Sequence, residues 1–247
     1  MINKFISFWK KKRKIKLICF DLDNTLYDYG IAEAETEAYI AKIICEKDAR
    51  QDVHDVLNKF TELKTHHMHH DLDPKMFSRK LWYSELLDKI NFKGNTSLMS
   101  KKLEHEYWSF LVPRINLFPE TLKTLDLLIQ KYKLACITDS DGEKDIKINR
   151  IKALGLDTYF DFIITTDDTG KNKPSIENWE YLIKLSGLKA TECMMVGDHP
   201  DVDLVNAKRL GFITVWTKQH IFTDIHLRYV NHEIKDIKEL IEILKKY

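Results

Sequence analysis

The sequence has no apolar run long enough to cross a bilayer, which argues against a membrane-spanning helix. Its N-terminus is short and mixed, with no small-residue cleavage site, which argues against a secretory leader. The four cysteines, Cys19, Cys45, Cys136 and Cys193, stand far apart and form no CxxC pair. Cys19, Cys136 and Cys193 sit inside apolar runs, where a thiol behaves as a small hydrophobe, so a reduced, cytoplasmic protein is expected. Internal repeats, Gly/Ser-rich linkers and low-complexity bias are missing. An excess of one charge is missing too, since the formal net charge is +1.

What remains is a globular composition. Of 247 residues, 44% are hydrophobic, enough for one larger domain or a domain plus an insert. The small net charge hides an asymmetry. Lys4, Lys10, Lys11, Lys12, Arg13, Lys14 and Lys16 crowd the start with no acid among them, leaving a mildly acidic body. Such a body does not predict a nucleic-acid-binding surface, and no nucleic-acid partner is expected. The basic tail, residues 1–14, reads as a solvated extension. Phe5, Phe8 and Trp9 leave docking on anionic lipid or RNA as its alternative use.

Five short β-prone runs follow the tail: residues 15–20, 133–137, 161–166, 192–196 and 212–216. Helical spacing of apolar residues fills the gaps between the later ones, over 119–131, 144–154, 176–185 and 203–210, the last stopping at Gly211. Strands alternating with helices predict an α/β fold, a Rossmann-like parallel sheet covered on both faces, with ligand bound beyond the carboxyl ends of the strands. Residues 28–116 differ. Helical patterns over 31–46, 53–64, 76–90 and 97–110 predict an inserted helical cap, hinged near 27–30 and 114–118. The core is then 15–27 with 117–247.

Four polar clusters fall at strand ends or helix starts. Asp21 and Asp23 in Asp-Leu-Asp-Asn-Thr can both turn toward one pocket, where two carboxylates call for a cation between them. A hard divalent ion such as magnesium answers that need. One carboxylate is then free to attack phosphorus while the other handles protons. The same residues also suit an Asx turn. Thr138 offers a hydroxyl to a phosphate oxygen, and Asp139-Ser140 also suits a helix cap. Lys173, before Pro174, suits either charge neutralisation or an exposed loop. Asp198, Asp201 and Asp203 place three acids within six residues, which folding alone explains poorly; a helix cap accounts for Asp201 only.

Together these motifs resemble the haloacid-dehalogenase superfamily, from about Ile15 to the C-terminal helix. The likeness rests on Phe20–Tyr27, Ile137-Thr138-Asp139, Gly170–Pro174 and Val196–Asp203, with Tyr159-Phe160-Asp161 and Tyr229–Leu244 in support. It implies Asp21 as nucleophile and Asp23 as general acid/base that also lends a backbone carbonyl to the metal. It implies that Thr138 holds the phosphoryl group and that Lys173 offsets charge between phosphate and Asp21. Asp139 joins Thr138 and Lys173 in the substrate-binding set, standing where Asn or Ser is frequent. The resemblance further implies that Asp198 ligates Mg2+ and that Asp203 supports that shell. Asn206 stands where Gly is frequent, with consequences for helix packing.

By the same resemblance, the Asp at position 23 implies phosphate esters, because relatives that cleave carbon–halogen or carbon–phosphorus bonds lack it. The expected partner is a small soluble ester: a sugar phosphate, phosphoglycolate or a nucleoside monophosphate. A phosphomutase and a non-catalytic phosphoryl sensor are the alternatives. Residues 71–77 weakly resemble the lid of pyrimidine-nucleotidase-like phosphatases. In the lid, His66–His70 or Arg79 can face substrate, a second metal or solvent. Trp82, Tyr83, Tyr107 and Trp108 suit lid core or base stacking.

Overall fold

The computed structural model describes residues 14–70, 73–220 and 227–247. Residues 1–13, and so nearly all of the basic tail, lie outside the described residues, as do Asp71 and Leu72 of the lid motif. Six parallel strands form the sheet: β1 (Leu17–Phe20), β4 (Lys133–Thr138), β5 (Phe162–Thr165), β6 (Cys193–Gly197), β7 (Ile213–Thr217) and β8 (His232–Ile234). Their order is β5-β4-β1-β6-β7-β8, which puts β1 at the centre, flanked by the two strands whose ends carry Thr138 and Asp198. The register pairs Phe20 with both Cys136 and Val196, so the three strands end within two residues of one another.

Strand alternation builds two cores. Ile18, Phe20, Leu134, Cys136, Met194 and Val196 face one side, whereas Leu17, Cys19, Ala135, Ile137, Cys193 and Met195 face the other. Helix α5 (Thr121–Leu128) and the C-terminal α9 (Leu240–Leu244) put Leu125, Leu128, Leu240 and Ile243 into the first core. Helices α7 (Glu177–Ser186) and α8 (Val205–Leu210) put Trp179, Leu182 and Ala207 into the second. Helix α6 (Lys144–Ala153) follows β4.

The insert holds α1 (Gly30–Lys47), α2 (Val53–His70), α3 (Arg79–Lys89) and α4 (Thr96–Leu111). A two-residue antiparallel ribbon, β2 (Tyr27–Asp28) with β3 (Asn116–Leu117), closes its base. Trp82, Tyr83 and Tyr107 are fully buried in this bundle.

Several boundaries differ from the sequence pattern. Helix α3 starts at Arg79 rather than Met76 because Ser78 is extended and caps it, accepting from Leu81 N at 3.4 Å. A 3₁₀ turn, Pro74–Phe77, precedes it. Helix α2 runs on to His70. A π-helical turn, Pro200–Leu204, displaces the start of α8. Strands β2, β3 and β8 are two or three residues long, too short for periodicity to mark. One close approach joins insert to core: at Gly142, where φ is +98°, a Cβ would lie 2.3 Å from the Ser78 Cα.

Candidate active site

A cleft of about 380 Å³ opens where β1, β4 and β6 end beneath the insert. Asp21, Asp23, Thr138, Asp139, Lys173, Asp198 and Asp203 all line it. The sheet therefore brings every site residue expected from the sequence to one place, although they come from four separate stretches of chain.

Asp21 leaves β1 with its amide donating to Val196 O at 2.9 Å, which fixes the backbone turn. Thr25 Oγ1 donates to Asp21 Oδ2 at 3.0 Å, and Lys173 Nζ donates to Asp21 Oδ1 at 2.6 Å. The same ammonium reaches Asp203 Oδ1 at 2.7 Å and stands 4.0 Å from Asp139 Oδ2. Asp139 Oδ1 also accepts from the Lys173 amide at 2.8 Å, so Asp139 orients the lysine. Asp203 Oδ2 accepts from His199 N at 3.0 Å. This geometry needs Gly197, because a Cβ there would lie 2.5 Å from Asp203 Oδ2. Thr138 is almost wholly buried at the end of β4.

Among the described residues, Asp21, Asp198 and Asp203 form the one group of three potential metal-binding side chains, with ligand atoms all within 4.8 Å of one another. Burial pushes the Asp21 carboxyl up to about 6, against the pull of Lys173 and with help from Asp203 and Asp23. Burial, then Asp21 and Asp203, also raises Asp198, and burial raises Asp139. Hard oxygen donors that repel one another around a single ammonium fit a bound divalent cation such as magnesium.

Asp23 has a different environment. Arg150 donates to it twice, Nη1 to Oδ1 at 2.5 Å and Nη2 to Oδ2 at 2.9 Å. Lys147 Nζ adds 3.2 Å to Oδ2, and the Tyr27 hydroxyl donates to Oδ1 at 2.6 Å. Burial alone would push this carboxyl up; Arg150 and Lys147 outweigh it and hold the group well below the usual carboxylate range. Arg150 and Lys147 also pair with Asp141, at 3.1 and 3.0 Å.

The sequence reading missed Lys147, Arg150, Asp141 and Tyr27. Its usable signal was the i, i+3 spacing of Lys147 and Arg150, which puts two cations on one face of α6. Asp201, offered as a helix cap, instead accepts from the Tyr229 hydroxyl. Ser140 does not cap α6; its hydroxyl donates to Asp167 at 3.0 Å and accepts from Gly142 N at 2.9 Å. Asn206 ties α8 to the Pro174 carbonyl.

Of the lid candidates, Arg79 is buried in the insert, its guanidinium 4.1 Å from the Trp82 ring centre. His67 stacks on Trp82 and meets Glu85 at 3.0 Å. Thr65 and Met68 of α2 line the cleft instead. The side chains of His69 and His70 lie outside the described residues.

Fold and site together define a hydrolase with a carboxylate-rich centre at the ends of a parallel sheet. Residues 15–211 match the haloacid dehalogenase-like hydrolase family, and the chain belongs to it. It is similar to a glyceraldehyde 3-phosphate phosphatase of Methanocaldococcus jannaschii, 30% identical over 94% of this chain and 97% of that one. A ribulose-1,5-bisphosphate 5-phosphatase of Halopiger xanaduensis is 26% identical over 80% of this chain and 82% of that one. In fold, the chain resembles a 2-haloacid dehalogenase of Pseudomonas syringae, with a TM-score of 0.72 at 23% identity over 94% of this chain and 99% of that one. No helix among the described residues is long and apolar enough to cross a membrane.

Proposed function

We propose that this chain is a magnesium-dependent phosphomonoester hydrolase working through a phospho-aspartate at Asp21. The observation that carries the reading is the single ammonium of Lys173, 2.6 Å from Asp21 and 2.7 Å from Asp203, amid carboxylates that converge with Asp198. The names of the two phosphatase relatives support it.

In this reading, an Asp21 oxygen attacks phosphorus and the ester P–O bond breaks. Asp23 gives a proton to the departing oxygen, then takes one from the water that displaces Asp21. For either transfer Asp23 turns away from Arg150. Thr138 and Lys173 hold the phosphoryl oxygens, and Asp139 keeps Lys173 aimed at them. Asp21, Asp198 and the Asp23 carbonyl would hold magnesium, with Asp203 supporting them, and the ion would supply positive charge against the phosphoryl group. The insert, residues 28–116, acts as a cap over a core of 15–27 and 117–247. A reducing, cytoplasmic setting accords with the four free cysteines.

The test is phosphate release from a panel of phosphomonoesters, with magnesium and with chelator. Metal-dependent release from at least one ester is expected. Release that persists undiminished in chelator would remove the metal from the reading.

A further inference from the structure

Away from Lys173 the cleft is lined by Asp23, Glu33, Asp141 and Lys147, and buried groups behind them balance their charge. Asp23 and Asp141 face Lys147 and Arg150, which are 1% and 2% exposed. Arg150 gives each acid two bonds, and Lys147 adds one ion pair to each. In the insert, Glu33 and Glu37 face Lys64 at 3.2 and 2.5 Å, and Arg79 stands 3.5 Å from Glu33. Four carboxylates thus meet four cations. Every one of these cations is already within ion-pair distance of an acid.

Among the described residues, a second anion on the substrate would find no Lys or Arg there that is not already paired. It would have to displace a carboxylate from a cation such as buried Lys147 or Arg150, and breaking such a pair is costly. Neutral oxygens fit better. The Lys147 ammonium has three protons, donates one to Asp23 and stands 3.0 Å from Asp141, which leaves at least one for a hydroxyl or carbonyl oxygen. Asp141 and Glu33 can accept from hydroxyls, and Asn24, Tyr29, Thr65 and Ser140 line the same cleft with neutral polar groups.

We propose that the leaving part of the substrate is uncharged and rich in hydroxyl or carbonyl oxygen. A phosphomonoester bearing a second phosphate or a carboxylate is then a poor ligand. This rests on the phosphomonoesterase reading for its chemistry, but binding tests it separately. The probes are glycerol 3-phosphate and 3-phosphoglycerate, matched in length and differing in charge at the far carbon. Calorimetry on the Asp21→Asn protein with magnesium should show glycerol 3-phosphate binding at least tenfold more tightly. Equal binding, tighter binding of 3-phosphoglycerate, or binding of neither overturns the proposal.

Adding Glu33→Gln, a near-isosteric change, makes this side net positive and should shrink the affinity ratio at least fivefold. An unchanged ratio would mean that this charge balance does not set recognition. Turnover of p-nitrophenyl phosphate by the unaltered protein is measured alongside. Its absence would count against the phosphomonoesterase reading and leave the binding preference to stand or fall by itself.

Discussion

The two ends of the cleft use the same kinds of side chain and differ in their charge balance. At the proposed phosphoryl end, Asp21, Asp139, Asp198 and Asp203 surround one cation, Lys173. At the other end, acids and bases match one for one around Asp23 and Glu33. The first end is short of positive charge, and its carboxyls Asp21, Asp139 and Asp198 are raised. The second satisfies itself, and Asp23 is held low. Two aspartates separated by one leucine therefore live in opposite fields. In the proposed reading the charge deficit marks where a cation and a phosphate belong, and the paired end, from which Asp23 turns to move protons, refuses further charge.

Asp21→Asn should break the first end most completely. Turnover should fall by on the order of 10⁵–10⁶-fold, as removal of an attacking group does elsewhere. The metal-free variant at neutral pH should be no less stable than the parent, since it loses a repelled charge. A marked loss of stability in urea would mean that Asp21 is structural. The balanced end should respond in the opposite sense. Arg150→Met strips two bonds from each of two acids, buried Asp141 and partly exposed Asp23, and should cost about 3–5 kcal/mol by denaturant midpoint. A loss below about 1 kcal/mol would contradict a self-supporting cluster. Gly197→Ala is a subtler test of the deficient end. Its Cβ would press on Asp203, 2.5 Å away, and loosen that residue from Lys173 and the His199 amide. The magnesium requirement should rise about 10–100-fold. An unchanged metal titration would detach Asp203 from the metal site.

The same contrast explains what was legible in the sequence. Asp21, Thr138, Lys173 and Asp198 stand at the ends of apolar runs or at a helix start, where a change in pattern marks the position. Parallel pairing at level register then brings them together. Lys147 and Arg150 lie within a helix; Asp141 is close to both in sequence, but Asp23 is 124 and 127 residues from them. Only the crossing of α6 under the cleft creates that cluster. A helix that buries cations has no clean apolar stripe, so periodicity identified α6 but not its charged face. Helix α3 was placed three residues early because apolar spacing continues through Met76 and Phe77, while the Ser78 cap is a local backbone event. In the lid, the histidines drew notice by composition. The cleft instead takes Thr65 and Met68, the face set by how α2 packs in the bundle.

The smallest expected effect is on the pH dependence of stability. In the metal-free protein the Asp21 carboxyl sits at about 6, against an ordinary 3.8. A carboxyl raised in the folded state stabilises when protonated. Its contribution is full below the ordinary value and is lost as pH rises through about 6. Asp198, also raised, has the same sign. Asp23 has the reverse sign: held low, it stabilises above the usual carboxylate range and loses that contribution only as pH falls. Between about pH 4 and 7, then, the deficient end lowers stability while the balanced end holds steady. The melting temperature of the metal-free protein should fall over that interval relative to Asp21→Asn. Magnesium at 100 times its dissociation constant should add about 2.7 kcal/mol and flatten the fall, because binding favours the ionised carboxylates. Parallel melting curves for the parent and Asp21→Asn across the interval would remove Asp21 as the source, and a fall that magnesium leaves untouched would place the charge deficit elsewhere.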